Sequence, residues 1–101
     1  MKKVLLVCAN GMSSGMLVKK MQKYAEEQKF AVDISAVSIA NAPATIGNAD
    51  VVLLGPQIRY NRARIVQMNP NVPVEAIDMT AYGLMDGKKI LDRALELIEE
   101  K

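Results

Sequence analysis

The sequence predicts an α/β fold: a four-stranded parallel sheet in the order 2-1-3-4, with helices on both faces. Three observations carry that prediction. Val4–Val7 and Val51–Leu54 are short, wholly apolar runs, as expected of strands buried on both faces. Two other strand-like stretches contain polar positions, as expected of sheet edges. Helical patterns separate most of the strands, which calls for parallel pairing with right-handed crossovers.

The elements follow in order. Val4–Val7 is the first strand. Ser13 or Ser14 can cap a helix that runs to about Gln28. Leu17, Val18, Met21, Tyr24 and Ala25 form its apolar stripe, and Lys19, Lys20, Gln22, Lys23, Glu26 and Glu27 fill the other face. Residues 31–39 alternate, with Val32, Ile34 and Ala36 set against Asp33, Ser35 and Val37, and read as an edge strand. Residues 41–48, with Pro43 and Gly47, read as a loop or short helical turn. Val51–Leu54 ends at Gly55-Pro56. Residues 60–68 read as a short helix with Ile65 and Met68 inside, stopped by Asn69-Pro70. Residues 72–77 read as the fourth strand, where Pro73 and Glu75 suit the opposite edge. Asp86 can cap the last helix, whose inner stripe is Ile90, Leu91, Ala94, Leu95 and Ile98.

Composition excludes whole classes of chemistry. The 101 residues suit one domain, read as spanning residues 1–101. There is no histidine, which removes Ser-His-Asp and Cys-His catalysis and histidine metal sites. A single cysteine cannot form an internal disulfide or a multi-cysteine zinc site, so no metal or cofactor is implied. The net charge is +2 and the basic residues form no long block, which argues against a nucleic-acid footprint. The opening apolar run breaks at Asn10-Gly11, shorter than the ~7–15 residues of a signal-peptide core. No run approaches the ~18 residues of a membrane helix. The chain therefore reads as a soluble, cytoplasmic protein without direct membrane insertion.

The lone cysteine falls where chemistry is expected. With strands 1 and 3 central, the connections after them leave on opposite faces and open a crevice at their carboxyl ends. Cys8–Ser14 and Gly55–Tyr60 flank that crevice. Ala9, Asn10, Gly11, Ser13, Ser14 and Gly15 are small, and glycines at 11 and 15 permit unusual backbone angles. Such a loop, followed by a helix start, can aim several N–H groups at one anion. A thiolate at its rim is a nucleophile for phosphoryl transfer. The bland alternative is a cysteine that merely packs at the end of its strand.

Cysteine phosphatases use a similar strand–loop–helix unit, with an arginine six positions after the nucleophile. That position here is Ser14. The missing guanidinium removes a bidentate phosphate clamp. No histidine can act as acid, and Asp78 is the one carboxylate expected at the strand ends. The phosphatase-like loop therefore suits holding a phosphothiol better than hydrolysing it. A Walker loop is excluded because its glycine-lysine-serine ending is absent. A low-molecular-weight phosphatase or arsenate-reductase-like hydrolase is the alternative reading. A redox thiol is a third, without a resolving cysteine in the chain.

Three stretches carry a resemblance: residues 8–14 (CANGMSS), residues 49–58 (ADVVLLGPQI) and residues 73–78 (PVEAID). Together they resemble enzyme IIB of the lactose/cellobiose/chitobiose group of the bacterial phosphotransferase system. The likeness covers nearly the whole chain, including Tyr82-Gly83 and the final helix. It implies a phosphotransferase component in sugar transport, with the same 2-1-3-4 sheet. Cys8 would accept a phosphoryl group from a phosphohistidine on enzyme IIA. Phosphocysteine would then pass it to a β-linked disaccharide or related sugar held by the membrane enzyme IIC. The resemblance assigns phosphate binding to the loop amides of Ala9, Asn10, Gly11, Met12, Ser13, Ser14 and Gly15. Gln57 and Tyr82 are expected near the crevice. Met12 and Ile58 are expected as exposed apolar residues for partner docking. Met16, Met21 and Met68 are expected as core filler. Arg59, Arg62 and Arg64 read as solvated helix charges, with steering toward an acidic partner as the sharper option.

Overall fold

The computed structural model describes residues 1–9 and 12–100, with the side chains of residues 12–14, 44 and 45 outside the description. Strand β1 (Lys2–Cys8) leads to helix α1 (Met12–Gln28) and then strand β2 (Val32–Ser38). Two 3₁₀ turns flank the single-turn helix α2 (Ala42–Thr45) before strand β3 (Val51–Leu54). A 3₁₀ segment, Pro56–Asn61, leads into α3 (Arg62–Met68), followed by β4 (Val74–Ala76), α4 (Met79–Gly83) and α5 (Gly87–Glu100). The strands form one parallel sheet in the order β2-β1-β3-β4, as the hydrophobic pattern predicts.

The two apolar runs are central. Val4–Cys8 and Val51–Leu54 are buried throughout, because side chains alternate onto two separately covered faces. Val4, Leu6, Val51 and Leu53 pack with Leu17, Met21, Leu91 and Ala94 from α1 and α5. Leu5, Val7, Val52 and Leu54 pack with Ala42, Ile46 and Ile65 on the α2 and α3 side. The edge strand β2 buries Ile34 and exposes Asp33 and Ser35.

Several local expectations shift in detail. Helix α1 begins at Met12, so Ser13 and Ser14 lie in its first turn and not at its cap. Strand β4 is only three residues long, because Val72 closes a turn onto the Asn69 carbonyl and Pro73 has no N–H to donate. The short helix expected over residues 60–68 starts at Arg62, and the segment before it is 3₁₀ with a kink at Ile58. Helix α4 was not legible in the hydrophobic pattern. It is a five-residue helix capped by Asp78, whose Oδ2 accepts from the Ala81 amide at 3.0 Å. Asp86 does cap α5, accepting from the Lys89 amide at 3.1 Å. The inner stripe of α5 also includes Leu97, with Leu95 and Ile98 half-buried beside it.

Helix α5 meets α1 at closest approach through Gly87. A methyl group there would sit 3.0 Å from the Lys20 carbonyl carbon and the Met21 nitrogen. Both are backbone atoms, so neither can swing aside. The Tyr24 hydroxyl on α1 donates to Asp92 on α5 at 3.0 Å and ties the same pair of helices. At the far edge, Arg93 on α5 makes a two-pronged ion pair with Glu75 on β4, both contacts at 2.8 Å. This pair is partly exposed, so apolar packing is the main bond between α5 and the sheet.

Gly87→Ala should force the helices apart and lower unfolding free energy by about 1–3 kcal/mol, the usual cost of overpacking. Urea denaturation followed by circular dichroism measures this, and an unchanged midpoint would contradict the packing. Burial first, then the hydrogen bond to Asp92, raise the Tyr24 hydroxyl above its ordinary pKa. The fold therefore favours the neutral phenol. That contribution is complete below the ordinary tyrosine value of about 10 and is lost as pH climbs through the raised one. Between pH ~9 and ~11, Tyr24→Phe should lose stability less steeply than the wild type in thermal melts.

Candidate functional site

Cys8 is the last residue of β1 and stands opposite Ser38 of β2. Its side chain is 3% exposed, and its thiol donates to the Val37 carbonyl at 3.6 Å. The sulfur therefore rests between the ends of β1 and β2, at the carboxyl edge of the sheet. The neighbouring central strand supplies the other wall. The Gly55 amide donates to the Val7 carbonyl at 2.8 Å, one step past the Val7–Leu54 pairing.

Gly55 stands between Gln57 and Cys8, where the exposed tip of Gln57 could swing aside for a side chain. Its backbone angles are ordinary for any residue. A methyl group placed on it, however, would lie 3.1 Å from Gln57 Oε1 and 3.7 Å from Cys8 Cβ. The Gln57 amide and the Cys8 side chain thus converge on one spot from two loops. The two side chains meet at the ends of the central strands, where the connections after strands 1 and 3 begin.

Other expected site residues fall as follows. Ala9 forms an exposed bend directly after Cys8. Asn10 and Gly11 lie outside the described residues. Met12, Ser13, Ser14 and Gly15 are the first helical residues of α1, so the loop is shorter than the glycine spacing suggested. Gly15 has a helical backbone, and there the permissive angles of glycine are not used. The amides at the start of a helix lack intrahelical partners and carry a partial positive charge. Tyr82 sits half-buried on α4 and packs against the α1/α5 core.

Two apolar expectations are corrected. Ile58 is not an exposed docking residue. It is 4% exposed, because the kink in the 3₁₀ segment turns it into the α3-side core beside Leu54 and Ile65. Met16 is not core filler. It is 60% exposed, since Leu17 takes the inward position on that turn of α1. Met21 is fully buried and Met68 is half-buried, as expected of filler.

Several charged side chains beyond the strand ends already have partners. Asp78 stands at the end of β4, but its carboxylate is engaged in capping α4. Arg62 donates to the Val74 carbonyl at 2.9 Å, and Arg93 is bound to Glu75. Among the described residues, no group of three or more His, Cys, Asp or Glu side chains could hold a metal ion. A groove of about 810 Å³ runs between β4, α4 and α5, over Ile77, Ala81 and Ile90, and Cys8 does not line it. No helix among the described residues is long and apolar enough to cross a membrane.

Comparison with known proteins agrees with this geometry. Residues 3–93 match the family model described as the lactose/cellobiose-specific IIB subunit of the phosphotransferase system. The chain is 42% identical to the oligo-beta-mannoside-specific EIIB component of Bacillus subtilis, covering 97% of each chain. It is 39% identical to the galactose-specific EIIB component of Lactococcus lactis, covering 96% of each. The solution structure of the cellobiose-specific phosphotransferase IIB component from Borrelia burgdorferi superposes with a TM-score of 0.83 at 36% identity, covering 99% of this chain and 94% of that one. With the sheet order, the cysteine at the end of β1 and these matches in agreement, the chain belongs to the lactose/cellobiose-specific IIB subunits, phosphotransferase components that work with IIA and IIC partners in sugar transport.

Proposed function

We propose that Cys8 is the phosphoryl carrier of this subunit. The observation that carries the reading is the place of the sulfur: the end of a central strand, beside Gly55 and Gln57, with α1 starting four residues on at Met12. The Cys8 sulfur attacks the phosphorus of a phosphohistidine on IIA. An S–P bond forms, the P–N bond breaks, and the thiol proton leaves with the released imidazole. In the second step a sugar hydroxyl, bound by IIC, attacks the same phosphorus. The S–P bond breaks, and the hydroxyl proton passes to a base or to solvent on the IIC side.

The amides of Ala9 to Gly15 are the proposed cradle for the phosphoryl oxygens, with the dipole of α1 behind them. Gln57 is proposed to hydrogen-bond the phosphoryl group from the opposite wall through its side-chain amide. Tyr82 is a supporting residue on the α4 side. Water-driven loss of the phosphate is slow because position 14 is serine where the phosphatase loop has arginine, and because Asp78 is held as a cap. Relatives named for oligo-beta-mannosides and galactose share this framework, consistent with sugar choice lying mainly with IIC.

Incubation with a phosphorylated IIA should add the mass of one phosphoryl group to the wild type and none to Cys8→Ser. Equal uptake by the two would overturn the assignment, and steady turnover of an aryl phosphate without partners would favour the hydrolase. Gln57→Ala should keep Cys8 as acceptor but slow transfer roughly tenfold, the worth of about one hydrogen bond. Rapid-quench measurement of phosphocysteine formation checks this, and a rate equal to wild type would remove Gln57 from the site.

A further inference from the structure

We infer that Ser38 is a further phosphoryl-binding residue: its hydroxyl, held by Asn41 at the end of β2, donates a hydrogen bond to the phosphoryl group carried on Cys8. The inference rests on the phosphoryl-carrier reading and places one more side chain around the same sulfur.

The strand register carries it. Strands β1 and β2 pair in parallel, with Val4 opposite Ile34, Leu6 opposite Ala36 and Cys8 opposite Ser38. Paired residues of a parallel ladder send their side chains to the same face, on strands about 4.8 Å apart. The first two pairs show which face: Val4, Ile34, Leu6 and Ala36 all pack into the core beneath α1 and α5. Cys8 and Ser38 continue that row to its open end. The earlier members of the row on β2, Val32, Ile34 and Ala36, are apolar. The row turns polar at the level of the sulfur.

The hydroxyl is available for this. Ser38 stands at the N-cap position of the 3₁₀ turn Ile39–Asn41, yet its side chain makes no capping bond to that turn. Instead its Oγ accepts from Asn41 Nδ2 at 3.2 Å. That bond occupies one lone pair and turns the hydroxyl proton away from Asn41. Among the described residues, that proton has no acceptor. The sulfur leans to the same side. Its thiol donates to the carbonyl of Val37, the residue before Ser38. Phosphorylation replaces this S–H by an S–P bond. A dianionic phosphoryl group brings only acceptor oxygens and has no proton for a carbonyl, so it projects past Val37 in the strand direction, beside Ser38. A hydroxyl donor gains most there, because its acceptor is charged. Ser38 keeps its own proton throughout, so both transfer steps balance without it.

The test is phosphorylation of the full chain by phosphorylated IIA, followed as a single-turnover rate with the donor concentration varied, together with the phosphorus NMR signal of the phosphocysteine. Ser38→Ala should slow transfer at saturating donor roughly tenfold, leave the half-saturating donor concentration near wild type, and move the phosphorus resonance. Ser38→Thr keeps the hydroxyl and suits a strand end, so it should restore both. Asn41 is a positioning residue at an exposed site, and Asn41→Ala should slow transfer several-fold with thermal melts unchanged. A Ser38→Ala chain with wild-type rate and resonance would overturn the inference. A slow Ser38→Ala chain with an unmoved resonance, or one that threonine does not rescue, would mark a structural role and overturn it too. A change confined to the half-saturating donor concentration would make Ser38 a docking residue, with the same consequence. If Ser38→Ala does not fold, Asn41→Ala with wild-type rate and resonance is sufficient refutation. All these outcomes leave Cys8 as carrier intact. A wild-type chain that takes up no phosphate would instead remove the carrier reading, and this inference with it.

Discussion

The structure depends on the parallel pairing of β1 with β3. Val4–Val7 lies beside Val51–Leu54 residue for residue, and neither run has a solvent-facing side. Burying eight aliphatic side chains on two faces demands helices on both, and the chain supplies α1 and α5 to one, α2 and α3 to the other. Because β1 and β3 send their following segments to opposite faces, the corner above them cannot be filled by either. The crevice follows from the way the core is covered.

Cys8 ends a core strand and begins the connection to α1. Its backbone belongs to the β1–β2 ladder, so the sulfur is held by the most deeply buried part of the molecule. Gln57 and Cys8 approach Gly55 from either side. Asp78 and Asp86, beyond the end of β4, cap α4 and α5.

The polar ends and apolar middle of each element also set the outer surface. Helix α5 is held to α1 by a glycine contact and by the Tyr24–Asp92 bond, and to β4 by Arg93 and Glu75. With its own charges engaged along the back of the sheet, α5 leaves Lys88 and Lys89 exposed near its start.

Much of this was legible in the amino-acid order. The fully apolar runs announced the central strands, the alternating runs the edges, and the missing histidine and the serine at position 14 narrowed the chemistry of Cys8. These are local properties: periodicity, residue type and spacing carry them without reference to distant contacts. Helix α4 escaped because five residues are too few for a period to show, and its start is set by one capping bond. Ile58 and Met16 were misplaced because inward and outward directions in short segments depend on the turn that precedes them. A kink of one residue buries Ile58, and the phase of α1 exposes Met16. Sequence alone therefore determined the sheet, its order and the residue type at its reactive corner. Only the tertiary structure decided which apolar side chains are buried and which exposed, because that choice rests on backbone phase and on neighbours remote in the chain.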